Sequence, residues 1–179
     1  MSLKQFFLLI LLASVTPGIC FAVSRSPIVG TPAQFEESAP NVGELRKVVR
    51  VVDGDTIVVS PNEKVRLIGV DTPETVHPKK AVACFGEEAK QFTRDAVEGK
   101  TIRLVLDKVN TKRRHRDRYG RTLAYAYLAD GTMLNAELIR QGYAHAYTRF
   151  QFRHLAEFRE LERTARTEAV GLWSSCPIN

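Results

Sequence analysis

The chain has 179 residues, 44% of them apolar and 26% charged. That suits one domain with a sizeable core and excludes two generous ones. Nine Phe, five Tyr and one Trp exclude a disordered tail, and eleven Gly without a period exclude collagen. Lys and Arg number 26 against 20 Asp and Glu, giving a formal charge of +6 and a pI near 9.4. This balance favours an anionic partner such as nucleic acid, a membrane surface or an acidic polymer.

Residues 1–22 read MSLKQFFLLILLASVTPGICFA. Lys4 precedes an apolar run over 6–13, then a Pro-Gly break and small residues. This is a signal-peptide pattern, with Cys20-Phe21-Ala22 as the cleavage site. The apolar run is too short for a membrane anchor, which needs about 20 residues. A lipid-anchored Cys20 is disfavoured by Ile19, where a small residue is expected. Export to the periplasm or the extracellular space is the expectation. Cleavage deletes Lys4 and Cys20, leaving Cys84 and Cys176. An even count in an oxidising compartment suggests one disulfide, with two unpaired thiols as the alternative. A zinc site is unlike this chain, which has four His and no Cys-x-x-Cys.

Residues 23–43, with Pro27, Pro32 and Pro40, read as a flexible linker, so the folded domain is expected over 44–179. Its first part is β in texture. A strand is expected over 47–52, then an Asp53-Gly54 turn and a strand over 56–59. A turn at 60–63 leads to a third strand over 65–70, which Asp71-Thr72-Pro73 ends. Phe85, Ala89, Phe92 and Ala96 predict a helix stopped by Gly99. Residues 101–107 alternate, with Ile102, Leu104 and Leu106 on one face. Leu123, Tyr125 and Tyr127 alternate before an Asp130-Gly131 turn. Residues 135–141 predict a short helix closed by Gly142. Leu155, Phe158, Leu161, Ala165 and Ala169 predict a longer one before Gly171. This order suggests an α+β domain, and a five-stranded Greek-key barrel of OB type fits it. Fold alone does not assign function.

Charge clusters beside strands in three places. In 52–56, Asp53-Gly54-Asp55 is either a plain turn or a source of one oxygen for a hard cation. It is not an EF-hand, since Ile57 replaces the third oxygen ligand. In 65–75, Asp71 supplies a second candidate oxygen. Two carboxylates with carbonyls and waters suit Ca²⁺ and leave positions open for a phosphate. Glu74 is either a solvated surface acid or a base accepting a proton from an attacking water. Arg66, within a strand, and Arg121, in 117–121, have the planar fork that grips phosphate oxygens.

Taken together these segments resemble the staphylococcal nuclease (thermonuclease) family. The likeness runs from Asp-Gly-Asp-Thr at 53–56 through Arg66-Leu-Ile-Gly-Val-Asp-Thr-Pro-Glu-Thr and His77-Pro78-Lys79-Lys80. It continues through Asp-Arg-Tyr-Gly-Arg at 117–121, Leu134-Asn135, Arg140-Gln141-Gly142 and Gly171-Leu172-Trp173. It spans about residues 48–173 with order and spacing kept.

The resemblance implies a five-stranded OB-fold barrel with three helices. It implies a Ca²⁺-dependent phosphodiesterase and endonuclease of the micrococcal nuclease type, acting on DNA and RNA. Such an enzyme breaks the bond between phosphorus and the 5′-oxygen and leaves 3′-phosphate ends. By this likeness Asp55 and Asp71 are metal ligands and Thr72 adds a carbonyl. Arg66 and Arg121 bind phosphate, and Glu74 is the general base. Arg118, Tyr119 and Tyr147 contact substrate. A monomer without stable membrane association is expected. The rival is a non-catalytic OB-fold module that binds nucleic acid, though all five charged side chains of the implied centre are present.

Three features depart from the family pattern. The segment 108–118 is longer and more basic, a further grip on phosphates or a mobile solvated loop. Arg149 stands near where an aromatic is often found. Cys84 and Cys176 flank the first and last helices, where a bridge would fit this fold.

Overall fold

The structure, a computed structural model, describes residues 42–75 and 83–177. The proposed signal peptide, all but the end of the linker, and His77-Pro78-Lys79-Lys80 lie outside the described residues. No helix among those described is long and apolar enough to cross a membrane.

Five strands close into a barrel: β1 (Glu44–Asp53), β2 (Thr56–Val59), β3 (Glu63–Leu67), β5 (Thr101–Val105) and β6 (Thr122–Tyr127), in spatial order β1-β2-β3-β6-β5. β3 and β6 run parallel while the other pairs are antiparallel. The two remaining strands, β4 (Val70–Asp71) and β7 (His145–Ala146), pair outside the barrel. This is the expected OB-type barrel. Three main helices accompany it: α1 (Gly86–Val97), α2 (Leu134–Arg140) and α3 (Leu155–Thr167). A single-turn α4 (Leu172–Ser175) follows.

Strand alternation fixes the core. In β3, Val65 and Leu67 are buried while Lys64 and Arg66 face outward. In β1, Val48 and Val51 are both buried although three residues apart. A register shift against β2 between Val48 and Arg50 supplies the extra residue that turns both inward. β6 is covered on both faces, so Ala124, Tyr125, Ala126 and Tyr127 are all buried. Phe158 of α3 and Leu138 and Ile139 of α2 complete the core without exposed surface. Fully burying side chains of this size contributes about 1.5–3 kcal/mol each.

The parallel β3–β6 pairing is locked by buried Asn135 at the start of α2. Its amide donates to the carbonyls of Ile68 (2.9 Å) and Ala124 (3.3 Å) and accepts from Ala126 N–H (2.9 Å). Gly69 turns the chain between β3 and β4 with a φ of +73°, and an added Cβ would lie 2.7 Å from the rings of Phe152 and Phe158. Both constraints demand glycine there.

Three details differ from the expected elements. β5 stops at Val105, so Leu106 is exposed rather than part of the core. The next residue, Asp107, is buried and accepts from Val109 N–H, starting a 3-10 turn over Lys108–Arg113 that ends the alternation. Phe85 precedes α1 in a left-handed conformation, and the buried face is Ala89, Thr93 and Val97. Phe92 packs instead on Tyr143, with ring centroids 4.3 Å apart. α3 ends at Thr167, leaving Ala169 exposed with a φ of +51°.

Cys84 and Cys176 are joined, with their Cα atoms 5.9 Å apart. The bridge ties the entry to α1 to the residue after α4 and spans 92 positions. A loop of that size stabilises by about 4–5 kcal/mol in the chain-entropy view.

Candidate active site

The turn between β1 and β2 and the segment after β4 meet on one wall of the barrel. Gly54 makes this possible, because a Cβ there would lie 2.7 Å from the Thr72 side chain. Asp55 accepts from Thr72 N–H (3.2 Å), and Asp53 accepts from the Thr75 hydroxyl (2.8 Å). From below, Thr93 of α1 donates to the Gly54 carbonyl (2.6 Å). The two acidic segments are therefore held against each other and against a helix.

Above them lies an open cavity of about 440 Å³. Asp55, Arg66, Asp71, Thr72, Glu74, Tyr119 and Arg121 line it. Asp53, Thr56 and Lys64, to which the motifs assign no role, line it too. Among the described residues its charged walls hold four carboxylates against three cations, and neither His nor Cys contributes.

Arg66 sits between two carboxylates. Its Nη1 is 2.6 Å from Asp55 Oδ2 and its Nη2 donates to Asp71 Oδ1 at 3.2 Å. The shorter contact is an ion pair off the axis of a hydrogen bond, so Nη1 is buried without an aligned acceptor. The Asp71 side chain is 52% exposed, whereas that of Asp55 is 9% exposed. Burial pushes the Asp55 carboxyl above the ordinary carboxylate range. Arg66 and hydrogen bonds from Thr72 and Thr56 oppose that shift, and the nearby Asp53 charge adds to it. Among the described residues these partners do not fully offset the burial of ionised Asp55.

Arg121 is held from the other side. Its Nε donates to Asp117 Oδ2 (2.7 Å) and its Nη1 to the Thr56 hydroxyl (3.2 Å). Thr56 donates in turn to Asp55 (2.9 Å). Burial tends to raise the Asp117 carboxyl, but the Arg121 side chain and N–H and the Tyr119 N–H hold it below its ordinary value. The β2–β3 register explains the grouping, since Thr56 is paired directly with Arg66. β6 lies on the far side of β3, with Leu123 opposite Arg66, which places Arg121 just ahead of that strand.

Tyr119 is 67% exposed at the cavity rim. The Arg118 guanidinium lies 4.7 Å from its ring centroid and that of Arg121 5.4 Å. Arg118 also donates to the Tyr119 hydroxyl (2.6 Å). Tyr147 is not among the lining residues; its N–H donates to Gly69 O and its ring packs near Phe150. Signals for the residues without an assigned role were present but weak. Lys64 shares Arg66's face two residues earlier, and Asp117 precedes Arg121 by four.

Among the described residues, no group of three or more His, Cys, Asp or Glu forms a ready metal cage. The donors that do converge are carboxylate oxygens, with Asp55 and Asp71 on one guanidinium. They suit a hard cation that completes its shell with carbonyl, water or phosphate oxygens.

Comparison with known proteins agrees with this architecture. The family described as Staphylococcal nuclease homologue matches residues 64–175. A thermonuclease of Staphylococcus hyicus is 39% identical over 90% of this chain and 98% of its own length. A thermonuclease of Staphylococcus intermedius is 39% identical over 78% of this chain and 82% of its own. Endonuclease YncB of Bacillus subtilis is 35% identical over 79% and 70%. The chain belongs to the staphylococcal nuclease family.

Proposed function

We propose that this protein is an exported, calcium-dependent nuclease. It hydrolyses DNA and RNA between phosphorus and the 5′-oxygen and leaves 3′-phosphate ends. The nuclease-named relatives support the reaction class. The observation that carries the site is the gathering of Asp55, Arg66, Asp71, Glu74 and Arg121 around one open cavity. In this reading residues 1–22 are removed on export and residues 44–179 form the catalytic domain.

A phosphodiester is an anion that repels attack, and negative charge grows on its non-bridging oxygens in the transition state. Arg121, fixed by Asp117 and Thr56, presents a preorganised guanidinium to that charge. Arg66 does the same from the neighbouring strand. Its longer contact, to half-exposed Asp71, is the one a phosphate oxygen replaces. Glu74 takes a proton from the attacking water, which requires approach to about 2.6–3.2 Å. The oxygen of that water bonds to phosphorus as the bond to the 5′-oxygen breaks. The 5′-oxygen leaves on the opposite side and takes a proton from solvent water to end as a hydroxyl. Tyr119, flanked by Arg118, offers a flat face and a hydroxyl to the nucleotide.

Asp55, Asp71 and the Thr72 carbonyl would hold the calcium ion. When bound, it supplies positive charge that polarises the phosphoryl oxygen.

The test is digestion of single-stranded DNA, duplex DNA and RNA, with chelator and with Ca²⁺, Mg²⁺ or Mn²⁺ restored, followed by end-group analysis. Cleavage that stops with chelator, returns with Ca²⁺ and leaves 3′-phosphates supports the proposal. DNA binding without cleavage in every ion overturns it in favour of a binding module.

A further inference from the structure

The segment after β5 carries six Lys or Arg between positions 108 and 118: Lys108, Lys112, Arg113, Arg114, Arg116 and Arg118. Glu63 of β3 meets Arg116 at 3.6 Å, but the acids within and beside the segment itself do not offset its charge at the surface. Asp107 is buried, accepting from Val109 N–H, Arg153 N–H and the Tyr125 hydroxyl. Asp117 is engaged by Arg121. Lys112 and Arg114 are exposed and form no ion pair among the described residues.

Nor is the segment loosely attached. After the 3-10 turn, Arg114 and His115 both adopt left-handed backbone, with φ of 51° and 56°. Such conformations persist in non-glycine residues only where surrounding contacts enforce them. Here Arg114 N–H donates to Thr111 O, His115 N–H to Asn110 O and Leu123 N–H to His115 O, at 2.7–3.1 Å. Arg116 bridges to Thr122 of β6. Its Nη1 donates to Gly120 O at 2.8 Å, between the two cavity residues Tyr119 and Arg121.

We infer that 108–118 is a fixed cationic rail that carries the polynucleotide backbone beyond the scissile phosphate, with Lys112 and Arg114 gripping phosphates outside the cavity. The inference rests on the nuclease reading and extends its substrate from a single ester to a polymer. Point charges on exposed side chains suit sequence-independent phosphate contact, and each such contact releases counterions.

The test compares wild type with Lys112→Gln/Arg114→Gln and with the charge-keeping Lys112→Arg/Arg114→Lys. Affinity for a short DNA duplex is measured in chelator across a salt series. Turnover in Ca²⁺ is measured on duplex DNA and on the nitrophenyl ester of thymidine phosphate. The Gln variant should bind duplex roughly tenfold more weakly at low salt, with a log–log salt slope shallower by about 1 to 2. Its kcat/KM should fall on DNA through KM and stay near wild type on the small ester. The charge-keeping variant should behave as wild type. An unchanged salt slope overturns the rail, as does equal loss in both variants or on both substrates. So does weakened binding to phosphatidylserine vesicles with DNA affinity intact, which assigns the segment to membranes. Failure of wild type to cleave any substrate refutes the nuclease reading alone, because the binding measurement still reads the rail.

Discussion

Two buried aspartates of this domain meet opposite fates. Asp107, just past β5, accepts hydrogen bonds from Arg153 N–H, the Tyr125 hydroxyl and Val109 N–H. Burial tends to raise its carboxyl, yet these donors and nearby His154 hold it below the ordinary range. Burial and Asp107 in turn push the Tyr125 phenol far up, so it remains a donor. Asp55 is comparably buried, but Arg66, the cation paired with it among the described residues, is shared with Asp71, and another acid stands close by. Its carboxyl is raised. A structural aspartate has its charge answered inside the protein. In the proposed reading, the charge of Asp55 is left to be answered by what binds. Stabilisation forgone at such a site is a common cost of function.

The contrast breaks most visibly in rate. Glu74→Ala and Arg121→Ala should each slow DNA cleavage by at least ~10²-fold, the scale of losing a preorganised group. Both variants should remain folded, Arg121→Ala at some cost in stability because Asp117 loses its partner, and normal turnover by either purified variant would refute the role given to the residue. Next comes stability at the other aspartate. Asp107→Asn should cost about 2 kcal/mol in urea unfolding, since hydrogen bonds to a charged group are lost. The cleavage rate per folded molecule should not move.

The acid limb of stability sharpens the same point. Asp107 has a depressed folded-state pKa, so the unfolded chain binds the extra proton. Its contribution is complete above the unfolded carboxylate range and disappears as pH falls through the folded value. Asp107→Asn should therefore flatten the loss of stability below that range, read by unfolding at stepped pH. A smaller change, about 1 kcal/mol, is expected for Tyr125→Phe, which removes one donor. Smallest of all, Asp55→Asn should shift stability by less than either of these while abolishing cleavage, because burial already opposes the Asp55 charge. A loss as large as that of Asp107→Asn would erase the distinction between the two sites.

Much of the site was legible because its members sit at strand ends and turns that short motifs mark. Asp55 follows a Gly-containing turn, Asp71 ends β4 before a proline, and Arg66 is the one cation in the otherwise apolar run 65–70. Their convergence is set by the Thr56–Arg66 register and by parallel pairing of β3 with β6. Alternation reveals which face a residue takes, not which strand lies beside it. The supports were harder to read. Asp117 resembles any turn acid until Arg121 is seen against it, and Thr56 resembles any strand threonine. Asp107 carries no local sequence signal because its donors include Tyr125 and Arg153, far along the chain. Leu106 departs from the expected face because that same buried acid ends the alternation one residue early.

Calcium titration by calorimetry on wild type, Asp55→Asn and Asp107→Asn tests the central contrast most directly. The account predicts one calcium site in wild type, retained in Asp107→Asn and lost in Asp55→Asn. Calcium affinity unchanged by Asp55→Asn, or lost with Asp107→Asn in a folded protein, would contradict it.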